Sequence, residues 1–232
     1  MAQKRHGKRH NAYFSKNYFE NAAWQAQKVV CGIDEVGRGC LAGPLVTAAV
    51  ILPIGTKYSL LKDSKILTEA ERLMAAQWII QNCQYAYGIV HNRIIDTHNI
   101  YQATLMAMQR SLYTLLQTSN LAPEAVLVDA MPLSLARSPY SHISIHSFPY
   151  GEDYSTSIAA ASIIAKVKRD ALMQELSQFF PGYHLESHKG YGTPLHCKSL
   201  VRTKPSLIHR MTFIKTVFKS RDEEENQQIN MF

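Results

Sequence analysis

No stretch of this chain approaches the roughly 18 consecutive apolar residues that a membrane-spanning helix needs, so no span is expected. The basic N-terminus is not followed by an apolar block, which argues against a secretory signal. Cysteine is scarce: Cys31, Cys40, Cys83 and Cys197 lack the short paired spacing of a zinc site. Free thiols in a reducing compartment, and hence a cytoplasmic protein, are the expectation. No internal repeat is present. Acidic residues are outnumbered, 18 Asp and Glu against 25 Lys and Arg, for a formal charge of +7. What remains is a chain of 232 residues that is 46% hydrophobic, enough for a real core and too apolar for a disordered chain. That length suits one large domain, or one with a small appendage.

The most informative run is CGIDEVGRGCLAGPLV at Cys31–Val46. Apolar residues lead into two adjacent carboxylates, Asp34 and Glu35, at the inner end of an expected strand. Adjacent anions near a core repel each other, and a divalent cation is the commonest reason to keep them there. An acidic, cation-binding centre in a positively charged protein points to a polyanionic substrate.

Organisation follows from patterning and breakers. Met1–Asn11 is polar and basic, a solvated tail or a nonspecific phosphate contact. Tyr13–Val29 suits a lead-in helix. Cys31–Asp34 and the β-branched Val46–Leu52 read as strands around a Gly- and Pro-containing connection. Thr68, with Glu69 and Glu71 behind it, marks a helix start, and that helix should run to Gln81. Tyr85–Val90, Glu124–Val128 and Ile143–Ser147 are further strands, and His98–Leu116 and Ser157–Leu176 are helices. Ala159, Ala160, Ala161 and Ala165 would let the last helix press closely on a sheet. Residues 181–199 read as a Gly-, His- and Tyr-containing loop region, SLIHRMTFIKTVF as a final helix, and the acidic stretch from Ser220 as a frayed tail. The order implies an α/β protein with a mixed central sheet. The expected division is 1–28 as tail and lead-in helix, 29–180 as core, and 181–232 as a substrate-contacting, mostly helical region.

Asp34, Glu35 and Asp129 each lie in or just after a predicted strand, and strand ends on one sheet edge can converge. Glu152 and Asp153 precede the alanine-rich helix. Three or four such carboxylates would hold hard cations through oxygen. Two ions about 3.5–4 Å apart could clamp the attacking water and the leaving oxygen of a phosphodiester. Each acid also has a plain structural alternative as a turn former or helix cap. The group together carries the reading.

At these residues the chain resembles the type 2 ribonuclease H family, in its bacterial ribonuclease HII branch, over roughly residues 29–213. The matching pieces are DEVGRG at 34–39, VDA at 128–130, SIAAASIIAKVKRD at 157–170, HKGYGT at 188–193 and HRMTF at 209–213, in the family's order. The resemblance implies a ribonuclease H-like fold, in which helices flank the sheet and a mostly helical C-terminal part follows. It implies hydrolysis of the RNA strand of RNA–DNA hybrids and nicking on the 5′ side of ribonucleotides embedded in duplex DNA, leaving 3′-hydroxyl and 5′-phosphate ends. Mg²⁺ or Mn²⁺ is the implied cofactor, two ions being expected. Asp34, Glu35 and Asp129 match three metal-binding acids. Gly37, Arg38 and Gly39 match the loop at the 2′-hydroxyl and adjacent phosphate, and Tyr191 matches a sugar-stacking tyrosine.

Three departures stand out. The family's fourth acid, an Asp six residues before the Ile of SIAAAS, falls on Glu152, while Asp153 comes one position late; a shift placing Asp153 there is the alternative. Tyr150 and Tyr154 stand where lysines are usual. Ala130 replaces a glycine, with less backbone freedom. On this reading Asp34, Asp129 and Glu152 hold the ion that activates water, and Asp34 with Glu35 the ion at the departing oxygen. Lys166, Arg169, Ser162, Ser187, His188, Lys189 and Arg210 are further candidates for backbone contact, although Asp170 could pair with Lys166 or Arg169 and make that face structural. A metal nuclease indifferent to the 2′-hydroxyl, a silent nucleic-acid-binding module and a small-phosphate hydrolase are the rivals. A monomer is expected, and the C-terminal QQINMF gives no support for a sliding-clamp contact.

Overall fold

The computed structural model describes residues 15–215 and 218. The basic tail at Met1–Asn11 and the acidic segment from Ser220 lie outside the described residues. Twelve named elements follow in chain order: α1 (Tyr18–Gln25), β1 (Val30–Val36), β2 (Leu45–Ile51), α2 (Glu69–Asn82), β3 (Gln84–Val90), α3 (Asn92–Thr118), β4 (Ala125–Asp129), β5 (Ser144–Phe148), α4 (Gly151–Tyr154), α5 (Thr156–Phe179), α6 (Leu185–His188) and α7 (Pro194–Thr203). The five strands form one sheet in the order β3-β2-β1-β4-β5. β1 runs antiparallel to β2 and parallel to β4, so the sheet is mixed as expected.

The central strands are buried on both faces. Cys31, Ile33, Val126 and Val128 pack beneath α3 with Met108, Leu112 and Leu115. Val46, Ala48 and Val50 pack against α2 and the Ala160–Ala165 stretch of α5. The close approach of α5 depends on Gly32, where an added Cβ would stand 2.1 Å from the Ser157 carbonyl carbon. The start of α2 is fixed by reciprocal capping between Thr68 and Glu71, as its sequence indicates.

Three readings are corrected. The long helix begins earlier than His98, at Asn92, and carries a non-helical residue, Asn99 (φ 65°, ψ 166°), whose side chain caps the turn that follows. The region 181–199 is not all loop: it contains α6 and most of α7, whose start is capped by Thr193 with Pro194 in the first turn. The segment 206–218 is not one helix. It turns through Leu207 and Ile208, bridges Ala42 at His209, and becomes helical at residues 211–215. There Asp96 accepts from the backbone N–H groups of Met211 and Thr212. Among the described residues no helix is long and apolar enough to cross a membrane.

Candidate active site

The parallel register of β1 and β4 brings the first acids together. Ile33 pairs with Val128, so Asp34 and Asp129 occupy the next step of adjacent strands, at their carboxyl ends. In parallel strands, residues at the same step face the same side of the sheet. Here that side carries α5, which packs over Gly32. β5 continues past Phe148 into a turn at Tyr150, and α4 then places Glu152 behind Asp129. The Gly151 N–H donates to Asp129 Oδ1 at 2.8 Å, tying that turn to the acid. Ala130 adopts φ 52°, the left-handed region that favours glycine, so the replacement noted in the sequence carries backbone strain.

Asp34 and Asp129 border a cavity of about 310 Å³ lined also by Glu35, the Gly37–Gly39 loop, Ser64, Lys65, Ser162, Lys166 and Tyr191, among others; Glu152 does not line it and is joined to it through Ser162 and Lys65. Asp34 is 4% exposed and takes the Glu35 N–H on Oδ1 at 2.7 Å. Glu35 Oε1 lies 3.6 Å from an Arg38 nitrogen, while its Oε2 is buried with no hydrogen-bond partner. Glu152 is buried, accepts from the Ser162 hydroxyl and lies 3.5 Å from Lys65 Nζ. Asp153, the alternative fourth acid, is exposed.

The electrostatics are those of crowded buried anions. Burial pushes the Asp34 carboxyl well above the usual range, and Glu35, Asp129 and Glu152 push it further. Glu35 is raised to about 7 by burial, with Arg38 opposing and Asp129 adding. Burial also raises Asp129, against the Gly151 N–H, and Glu152, against the Ser162 hydrogen bond. Burial would lower Lys65, yet Glu152, Asp63 and Asp34 together raise it. Among the described residues no group of three or more Asp, Glu, His or Cys side chains is placed as it stands to hold a metal ion. The donor set nevertheless fits a hard divalent cation: all oxygen, anionic, mutually repelling, and with one buried carboxylate oxygen left unpartnered.

The remaining sequence candidates divide. Gly37, Arg38, Gly39, Tyr191, Lys166 and Ser162 line the cavity. Lys166 pairs with Asp170 at 2.7 Å and stands 5.8 Å from the centre of the Tyr191 ring. The Ser162 hydroxyl is engaged by Glu152 and Ser64. Ser187 is exposed and does not line this cavity. Lys189 lines a neighbouring cavity, its ammonium held by Glu186 O and Gln174 Oε1. Arg169 and Arg210 are corrections: both guanidinium side chains are fully buried and bonded to backbone carbonyls, so neither reaches a phosphate. His188 is likewise internal, stacked on His196 with ring centres 4.3 Å apart and bonded to Tyr183 O. Sequence reasoning missed Ser64 and Lys65. The only signal was the polar run KDSK at 62–65 between Leu61 and Ile66, which reads as an ordinary loop. Lys65 restores one cation beside the acids, where Tyr150 and Tyr154 stand in place of lysines.

The sequence profile of the family described as Ribonuclease HII matches residues 31–219. The chain is 43% identical over 199 residues to the Ribonuclease HII of Listeria innocua serovar 6a, spanning 85% of this chain and 72% of that one. Its fold is similar to the ribonuclease HII solved in a PCNA complex from Archaeoglobus fulgidus (TM-score 0.66, 25% identity, 80% of this chain and 94% of that one). It is also similar to Bst-RNase HIII solved with Mn²⁺ (TM-score 0.65, 21% identity, 83% and 70%).

Proposed function

The chain belongs to the ribonuclease HII family, and from that premise we propose that the cavity at the carboxyl ends of β1 and β4 is where it cuts its substrate. The fold is ribonuclease H-like. The activity is that of an RNase H-type endoribonuclease, directed at the RNA strand of RNA–DNA hybrids and at ribonucleotide-containing DNA, and it depends on a divalent metal.

In this reading Asp34, Glu35, Asp129 and Glu152 hold the metal, Mg²⁺ or Mn²⁺, two ions being the expected number. A relative solved with Mn²⁺ on the same fold supports that choice. The bound cations supply charge stabilisation and water of lowered pKa. The chain's own groups do the rest. Ser162 and Lys65 fix the orientation of Glu152, and the Gly151 N–H fixes Asp129. Arg38 carries a cation to the phosphate side of the cavity, and Tyr191 offers a partly exposed ring for the sugar. Water attacks phosphorus as the bond to the 3′ oxygen breaks, so the products carry a 3′-hydroxyl and a 5′-phosphate. The C-terminal region from 181 contributes Tyr191 to this wall and is read as the substrate-contacting part.

One observation carries the assignment: four carboxylates from three separate chain segments gather at one sheet end, where burial raises the pKa of each and the other three acids raise Asp34 further. A module that merely bound nucleic acid would have no use for that arrangement. The test is a labelled DNA duplex with one internal ribonucleotide beside an all-DNA control, each with Mg²⁺ or Mn²⁺. Nicking on the 5′ side of the ribonucleotide alone is expected, and Asp34→Asn and Asp129→Asn should nearly abolish it with the fold intact. Equal cutting of both duplexes would overturn the ribose-directed reading.

A further inference from the structure

Two fully buried arginines lie under the Gly37–Pro44 loop, and neither has an ion-pair partner among the described residues. Arg169, from α5, donates to Pro44 O at 2.9 Å, Ala42 O at 3.1 Å and Lys189 O at 2.8 Å. Arg210 donates to Arg38 O at 2.9 Å and, through two nitrogens, to Gly43 O at 3.2 and 3.0 Å. Burying a guanidinium without an anion is costly, and an apolar side chain would fill the same volume more favourably. What an apolar side chain cannot do is dictate where carbonyls point.

The direction of those carbonyls has a consequence at the cavity. A trans peptide is planar, with its N–H opposite its C=O. No cis peptide occurs among the described residues. Arg210 draws the Arg38 carbonyl inward, so the N–H of Gly39 points away from the protein interior. Gly39 is exposed, lines the cavity, and has nothing within 4 Å of the place a Cβ would occupy. Arg169 supports the same loop from below. It lies so close to Gly37 (φ 94°) that a Cβ there would be 2.2 Å from its Nε. Through Lys189 O it also ties the loop to the segment after α6 that carries Tyr191, which makes an isolated bridge with Cys40.

We propose that Arg210, with Arg169 beside it, is a positioning residue for substrate discrimination: by turning the Arg38 carbonyl inward it presents the Gly39 N–H to the cavity as a fixed donor for a ribose 2′-hydroxyl. The inference rests on the ribose-directed reading above. Neither arginine touches substrate; both act through the loop. Lysine keeps the charge but lacks the rigid planar fork that holds Arg38 O and Gly43 O in a fixed relation.

The experiment compares wild type, Arg210→Lys and Arg169→Lys for binding, in EDTA, to a duplex with one ribonucleotide and to its all-DNA counterpart. In Arg210→Lys the preference for the ribonucleotide duplex should fall about tenfold, the size expected when one oriented hydrogen bond is lost, while all-DNA affinity stays unchanged. Arg169→Lys should lose preference in the same direction. A purely structural role would lower the melting temperature and leave the preference intact, and a folded Arg210→Lys protein with wild-type preference overturns the proposal. If wild type itself shows no preference, the ribose-directed reading fails instead. Should the lysine variants not fold, the Gly39 amide resonance of ¹⁵N-labelled wild type decides. It should move on adding the ribonucleotide duplex and not on adding the all-DNA one; identical shifts with both overturn the proposal.

Discussion

Replacing Glu35 with glutamine should stabilise the metal-free protein while destroying its activity. Glu35 is 14% exposed at its side chain, has one oxygen without a partner, and is raised from 4.5 to about 7 by burial, with Arg38 opposing and Asp129 adding. The folded-state pKa lies above the unfolded one. The protonated acid is therefore favoured by folding, and that contribution is fully present below about pH 4.5 and is lost as pH rises through 7. At pH 8 ionised Glu35 costs the fold about 3 kcal/mol, from 2.5 pK units at roughly 1.4 kcal/mol each. Glutamine does not ionise, but its amide must find partners in a site built for an anion, so the net gain should be about 1–3 kcal/mol. Urea unfolding in EDTA, followed by the fluorescence of Trp24 and Trp78, reads this directly. Glu35→Gln should be more stable than wild type at pH 8, and the difference should shrink to under about 1 kcal/mol at pH 5. Adding Mg²⁺ or Mn²⁺ should reverse the order, because only wild type keeps the full set of anionic ligands for a stabilising ion. If Glu35→Gln is the less stable protein at pH 8 in EDTA, the carboxylates are not crowded in the way the site argument requires.

Three further outcomes follow from the same geometry. Glu152→Gln should reduce nicking far more than Asp153→Asn, because only Glu152 is buried beside Ser162 and the other acids; the reverse ranking in a single-turnover assay would move the fourth acid by one position. Gly37→Ala places a methyl group on the Arg169 guanidinium at a positive φ, so it should cost roughly 1–3 kcal/mol in urea unfolding and lower cleavage of the ribonucleotide duplex; wild-type values in both would refute the tight contact. The clustered imidazoles His188, His196 and His209 are all held below the usual range by burial, His209 to about 4. Their folded pKa values lie below the unfolded value near 6.5, so stability should be lost as pH falls from 6.5 towards 4. His209 contributes up to about 3 kcal/mol, and His209→Gln should flatten that part of the pH–stability curve.

How much of this was legible in the chain depends on the kind of interaction. The strands and α2 could be read because their signals are local: β-branched runs, and a threonine followed closely by two glutamates, lie within a few residues of the element they define. The meeting of Asp34 with Asp129 could be anticipated because both close short apolar strands, and a parallel register then does the rest. Glu152, the proposed fourth acid, was singled out by counting back along a motif. The kink at Asn99 was hidden because the asparagine sits in an otherwise continuous helical pattern and caps the second segment from within. α7 was hidden by its composition, since glycines before it and a histidine within it read as loop. His196 is buried there only because His188 and His209 come from other segments to meet it.

The arginines show why local reading stops where it does. Lys166 and Arg169 are one helical turn apart in a basic stretch, and a sequence offers no reason to treat them differently. The fold gives them different partners, although both stand within 6 Å of the Tyr191 ring centre: Lys166 reaches the cavity rim and pairs with Asp170, while Arg169 is sealed beneath the Gly37–Pro44 loop. What decides is the absence of side chains opposite. Gly37 and Gly43 leave room where a Cβ would collide with Arg169 or Met173, and the guanidinium occupies the space they vacate. The same device operates at the start of the same helix, where Gly32 lets the backbone of Ser157 and Ile158 press on β1. The acidic centre is thus held in place by glycines that admit α5 and its arginine. A chain that kept every carboxylate and enlarged one of these glycines should lose alignment of the site before it loses affinity for cations, which separates positioning from ligation in a Mn²⁺ titration run beside a cleavage assay.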